Sequence, residues 1–337
     1  PASGRSNLHI LTHATITCLD FDGSRASGAS CYRDGQIHRL QARREVIVCA
    51  GALQTPALLM RSGLGPQAHL QTLGIDVRAD IPGIGQNLQD HLDIVINRRV
   101  ANTDLLGFSL VGGLKFARAI WRWHKARRGV LTSNFAEAGA FVRSLPELDR
   151  PDLQLHFVVG MVDDHNRRLH WGHGMSLHAC ALQSHSRGQV RLANTDPFAP
   201  PLIDPRFLSD ERDLEHLLRG FKLIRKLFAQ PAFAPFGGGD PNRELHFSHV
   251  RSDDDIRAAI RAHADTIYHP AGTCRMGDTD RDRMAVCDAQ LRVRGVQGLR
   301  VADGSVMPSL VSGNPNAAII MIAEKAARMI IEAQTQT

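Results

Sequence analysis

The chain has 337 residues, 43% apolar and 22% charged, which is enough for two domains with a substantial core and excludes wholesale disorder. Its net charge of +6 comes from basic residues read as scattered over a mildly basic, solvated surface, the densest runs being Arg43-Arg44 and Lys125-Ala126-Arg127-Arg128. No nucleic-acid partner is therefore expected, and no apolar stretch approaches bilayer length, so no transmembrane segment is expected either.

In chain order, Leu8–Leu11 and Thr15–Leu19 read as short strands, and Glu45–Cys49 as a buried one. A helix is expected next, with Thr55 as N-cap and Pro56 at its first position, ending at Gly63 and Gly65. A second helix spans about Pro66 to Leu73, with Gly74 placed to cap it, and Pro82–Asn87 is a turn. From about residue 97 the texture changes. A long helix over Leu110–Arg127 precedes alternating segments at Asp152–Phe157, Met175–Leu182 and Gln189–Leu192, read as strands of an antiparallel sheet with one covered face. Asp210–Phe228 is an amphipathic helix with acids at its start and Lys226 near its end. Gly237-Gly238-Gly239 is a flexible break, and Ser252 caps a further helix. Leu299–Ala302 reads as a strand ending at Asp303-Gly304. Ala317–Ile331 is the last helix, apolar around most of its circumference and so expected to be deeply packed.

Two polar islands near the carboxy terminus carry the chemistry. One is Tyr268-His269-Pro270-Ala271-Gly272-Thr273-Cys274-Arg275-Met276-Gly277; the other is Asp303-Gly304-Ser305-Val306-Met307-Pro308 followed by Ser312-Gly313-Asn314-Pro315-Asn316. The second opens directly into an apolar run, which places backbone N–H groups where an electron-rich group can sit. A histidine from one island and an asparagine from the other, brought together there, suit removal of a proton from a bound hydroxyl.

Four segments in order resemble the glucose–methanol–choline (GMC) oxidoreductases. Gly51-Ala52-Leu53-Gln54-Thr55-Pro56-Ala57-Leu58-Leu59-Met60-Arg61-Ser62-Gly63-Leu64-Gly65 is similar to the second signature of that family, and Pro82–His91 to the segment that follows it. The two islands resemble its catalytic motifs, so the resemblance spans residues 8 to 331. Within the family, Thr132–Phe141 and Ser186-Arg187-Gly188 have the flavour of choline-dehydrogenase-like alcohol dehydrogenases. The resemblance implies an α/β and α+β fold. An incomplete Rossmann-type FAD-binding domain would cover 1–96 and 246–337, and a substrate domain with an antiparallel sheet would cover 97–245. The family's strand–Gly-x-Gly-x-x-Gly–helix unit for the FAD pyrophosphate is not found. The chain, opening Pro-Ala-Ser-Gly, is thus expected to be the later part of a longer protein that binds FAD poorly by itself.

The implied reaction is oxidation of a small alcohol with hydride transfer to flavin N5, electrons passing to an acceptor such as a quinone. By resemblance His269 is the base and Asn314 its partner at the developing alkoxide. Asn316 and Ala317 would face the flavin, Asp303 and Gly304 the ribityl–phosphate region, and Ile16, Ala50 and Gly51 the adenine half. The plainer roles stand beside these: a cap for Asn314, a turn for Asp303-Gly304, core for Ile16. An oxygen-using oxidase and a catalytically silent remnant remain open. Six cysteines with no Cys-x-x-Cys point to a reduced, cytoplasmic chain, with peripheral contact at the inner membrane left open. His165, His170, His173, His178 and Cys180 cluster in sequence but carry no zinc motif, and no metal is assigned.

Overall fold

The computed structural model describes residues 2–335. Strands β1 (Thr15–Asp22), β2 (Arg25–Arg33) and β3 (Gln36–Gln41) form an antiparallel meander. Then follow β4 (Val46–Val48), α1 (Gly51–Arg61), β5 (Leu64–Gly65), α2 (Gln67–Thr72), β6 (Ala79–Asp80) and β7 (Gln86–Leu88). The middle of the chain supplies β8 (Leu92–Val100), β9 (Gly107–Phe108), α3 (Leu110–Ala126), β10 (Ala136–Val142), β11 (Leu153–Val158) and β12 (Gly172–Ala181). β13 (Gly188–Arg191), β14 (Leu202–Asp204), α4 (Glu211–Phe228), α5 (Asp253–His263), β15 (Asp265–Thr266), β16 (Leu299–Val301) and α6 (Asn316–Thr335) complete it.

The largest sheet is antiparallel, in the order β10-β11-β12-β8-β15, with β9 added to β12. α4 covers it. Leu214, Leu217, Leu218, Phe221, Ile224 and Phe228 recur at helical spacing and are all buried. Gly220 lets the helix approach: a Cβ there would lie 2.8 Å from the Ala179 Cβ of β12. α5 packs beside α4 and starts with a capping box between Ser252 and Asp255. This core runs from Leu92 to Ile260; the expected boundary at 96/97 falls inside β8, and Phe247, Val250, Ile256 and Ile260 from beyond 246 belong to it. A second core gathers β1, α1, β4, β16 and the buried side of α6. Its parallel pairings are two strands wide: β16 beside β4, with Leu299 opposite Val46 and Val301 opposite Val48, and β5 beside β6.

Four sequence expectations give way. Leu8–Leu11 is exposed irregular chain; a short apolar run becomes a strand only where a neighbour takes its backbone hydrogen bonds, and β1 pairs with β2. α1 starts at Gly51 rather than at Thr55-Pro56, which lie inside it and are buried. Pro56 cannot donate to the Ala52 carbonyl one turn back, and the Thr273 hydroxyl does so at 2.6 Å. Gln189–Leu192 joins β7 and β14 in a separate small sheet instead of the large one. Finally, α6 is buried along one side only, at Ile322 and Ala326, while Ile320, Met321 and Ile331 are 55%, 55% and 63% exposed. Only the side carrying Ala318, Ile319, Ile322 and Ala326 packs into the second core.

Candidate active site

Asp90 organises the site. Its carboxylate accepts hydrogen bonds from the His91 amide (2.8 Å), the His269 amide (2.9 Å) and the Thr266 hydroxyl. It therefore ties the segment entering β8 to the loop leaving β15, which themselves pair at Asp93–Asp265 and Leu92–Thr266. Burial raises the Asp90 carboxyl, and these three donors work against the rise. The result places two imidazoles edge to face, with His91 Nδ1 3.0 Å from His269 Nδ1 and the rings 87° apart.

Asn314 meets the other side of His269, its Nδ2 lying 3.2 Å from His269 Nε2. The Asn314 side-chain oxygen accepts from Gln154 Nε2 of β11 at 3.1 Å, so the network turns its N–H toward the histidine. Pro315 is buried and fixes the turn from which α6 departs, while Asn314 stays exposed. The residues predicted from sequence, 45 positions apart, thus form a hydrogen-bonded pair at the junction of the two cores.

The protons along this line order themselves. His91 is fully buried, and burial first, then the neighbouring His269, pushes it down to about 4, against the Leu182 and Val311 carbonyls. It is neutral near pH 7 and offers a lone pair at Nδ1 when its proton sits on Nε2, a buried atom with no hydrogen-bond partner. His269 then donates from Nδ1 and keeps the lone pair of Nε2 facing Asn314. Burial, then His156, lowers His269 from the ordinary histidine value. A neutral histidine whose Nε2 lone pair meets only the amide of an exposed asparagine is suited to act as a base.

The expected cofactor residues fall into three places. Asp303, at the end of β16, accepts from the Gly51 amide (2.9 Å), the Thr55 hydroxyl (2.6 Å) and the Ser305 amide (2.8 Å). It stitches β16 to the opening of α1, where Gly51 has φ +79° and Ala50 is exposed. Gly304 accepts from the Gly272 amide at 3.1 Å, and a Cβ on it would lie 3.2 Å from Ile319, so its bareness lets the histidine loop and α6 converge. Asn316 and Ala317 open α6 and are exposed, with no acidic residue in that turn. Ile16 stands apart, half-buried on β1 in the three-stranded sheet. The sequence-clustered histidines disperse. His165 bonds Asp265, His170 bonds Asp163, His173 bonds Ser109 and the Leu105 carbonyl, and His178 bonds Asp93. Sequence reasoning missed Asp90, His91 and Gln154; Asp90 and His91 lay at the end of a quoted motif without a role.

An imidazole and an amide thus meet in a chain that combines short parallel strand pairs with a larger antiparallel sheet and flanking helices, an α/β architecture. Models of the GMC oxidoreductase family match residues 1–93 and 184–323, and the chain belongs to that family. It is 42% identical over 332 residues to the mitochondrial choline dehydrogenase of Homo sapiens, covering 98% of this chain and 55% of that protein. It is 41% identical over 336 residues to the alcohol dehydrogenase [acceptor] of Pseudomonas putida, covering 97% and 58%. The fold also superposes on a solved structure of Aspergillus oryzae RIB40 formate oxidase concerned with modification of its FAD (TM-score 0.89, 25% identity, 99% of this chain and 63% of the other). The chain thus spans a little over half the length of the curated relatives it matches.

Proposed function

We propose that this chain carries the substrate-side machinery of an FAD-dependent enzyme that oxidises an alcohol CH–OH to its carbonyl. FAD, when bound, supplies the hydride acceptor at N5. His269 Nε2 takes the hydroxyl proton, and the charge it gains is shared through Nδ1–H with neutral His91. Asn314 donates its amide N–H to the oxygen as negative charge develops, while Gln154 holds that amide in orientation. Such a base supplies roughly 10²–10⁴-fold and a fixed donor a further factor of the same order. The observation that carries the reading is the His91–His269–Asn314 line, in which the tautomer with His269 donating from Nδ1 to His91 turns the Nε2 lone pair toward the exposed Asn314.

The residues present fit one part of the cofactor. The exposed opening of α6 at Asn316 and Ala317 presents unpaired amides to a ring that gains negative charge. Ala50 and Gly51 sit at the carboxyl end of β4, the side of a parallel sheet where nucleotides bind. Asp303 acts here as a brace, since its oxygens already hold Gly51, Thr55 and Ser305. The 337 residues contain no Gly-x-Gly-x-x-Gly, so the pyrophosphate finds no glycine cradle among them and this polypeptide by itself retains FAD weakly. The segments of the second core serve the cofactor, and the core that runs from Leu92 to Ile260 serves the substrate. The likeness to choline and alcohol dehydrogenases favours a small alcohol, with a quinone or similar acceptor.

The experiment is anaerobic mixing of the enzyme, with FAD in excess to offset its weak retention, with choline, aliphatic and aromatic alcohols while flavin absorbance is followed. Bleaching by one alcohol class supports the reading, and its absence with all three contradicts it. Oxygen uptake against dye reduction then separates oxidase from dehydrogenase.

A further inference from the structure

Helix α3 is the least sheltered α-helix among the described residues. Seventeen residues long, it has no buried residue. Leu110, Leu114 and Trp121 line one stripe, at positions i, i+4 and i+11, and are 82%, 74% and 61% exposed. Lys115, Arg118, Arg122 and Lys125 line the adjacent stripe. From Leu105 to Ala136 there is no Asp or Glu and there are six Lys or Arg. Lys115 pairs with Asp104, but among the described residues Arg118, Arg122, Lys125, Arg127 and Arg128 have no carboxylate partner. The six cations, close together in sequence between Lys115 and Arg128, share one helix and its carboxy-terminal end. Lys125 and Arg127 instead lie over the Trp121 and Trp123 rings, at 4.9 and 4.2 Å.

The patch extends past the helix. Phe108, just before α3, bridges to Trp171, and these are 54% and 72% exposed, with Leu169 at 66% beside them. All three tryptophans of the chain, Trp121, Trp123 and Trp171, are thus solvent-facing in this one region. Leaving large apolar rings in water is unfavourable unless a partner covers them. An amphipathic helix with leucine and tryptophan on its outer stripe, unpaired cations on its flank and no acids matches a bilayer interface: rings at headgroup depth, cations on lipid phosphates.

We propose that α3 with the Phe108–Trp171 bridge is a membrane-docking surface for anionic phospholipid. The helix lies in the plane of the headgroups, and the chain does not cross the bilayer, in keeping with the absence of any spanning helix among the described residues. A soluble partner would need acidic groups to meet the cationic stripe and an apolar groove for the leucines; an anionic leaflet offers both at once.

The test uses vesicles of phosphatidylcholine alone and of phosphatidylcholine with 30% phosphatidylglycerol (about one anionic lipid in three). Co-sedimentation with the anionic vesicles and a blue shift of tryptophan emission are expected, both lost on adding about 1 M salt. Because every tryptophan lies on the patch, the emission reports docking directly. The triple reversal Arg118→Glu, Arg122→Glu and Lys125→Glu should weaken partitioning more than about tenfold. Leu114→Asp should abolish the blue shift; both variants are checked for native circular dichroism. Three results would overturn the proposal: equal binding to neutral vesicles, a dimer by ultracentrifugation that dissociates in Leu114→Asp while vesicles have no effect, or binding to a short RNA without any response to vesicles.

Discussion

Replacing His91 with leucine tests the proton arrangement at the site from two directions. Native His91 falls from the ordinary 6.5 to about 4 because it is buried beside His269. Its neutral form is favoured by folding, so the unfolded chain binds more protons between these values and stability is lost as pH drops from about 6.5 toward 4. A shift of about 2.5 units amounts to roughly 3 kcal/mol below pH 4, and about 2 kcal/mol of it is already gone at pH 5. The leucine variant lacks this contribution, so urea unfolding at pH 7 and pH 5 should show a pH dependence about 2 kcal/mol shallower than native. The same change leaves the His269 Nδ1–H without its acceptor. An unmet buried donor costs about 1–3 kcal/mol, so alcohol oxidation should slow roughly 5- to 150-fold. Loss of the acceptor also makes the His269 imidazolium less favourable, so the acid limb of kcat/KM moves to lower pH. His91→Asn, whose side-chain oxygen can accept, should recover part of the rate. Equal pH dependence of stability in native and leucine proteins, together with an unmoved acid limb, would refute the reasoning.

Further perturbations bear on the scaffold. Thr273→Val removes the donor that serves the Ala52 carbonyl at the Pro56 step, and should lower the melting temperature measured by calorimetry, at a cost of about 1–3 kcal/mol. Gly220→Val drives a side chain into Ala179 of β12; where a helical glycine replacement ordinarily helps, this one should destabilise by about 1–3 kcal/mol in chemical denaturation. Ser252→Ala deletes the α5 cap and should cost about 1 kcal/mol without changing alcohol oxidation.

What the sequence reveals depends on how local the cause is. α4 and α5 are legible because spacing and caps lie within a few residues: Asp210 and Ser252 each bond the first turn that follows them. β4 is legible as a β-branched run. Thr55-Pro56 misleads because the group that tolerates a proline inside α1 is Thr273, more than 200 residues later. Leu8–Leu11 misleads because an apolar run says nothing of whether a neighbour will pair with it. The site divides the same way. His269 and Asn314 stand out through their glycine- and proline-rich surroundings. His91 meets its partner 178 residues away and Gln154 meets Asn314 across 160, distances over which local pattern carries no information. The exposed flank of α6 defeats a wheel-based reading for a related reason: apolar circumference signals what a helix is able to bury, and the opposing surface decides what it does bury.

The most direct test of the account is the rate of flavin reduction by alcohol in His269→Ala, measured anaerobically in the FAD-loaded enzyme at pH 8. The account predicts a fall of roughly 10²–10⁴-fold with little change in alcohol affinity. Reduction within about twofold of native would show that the proton leaves by another route.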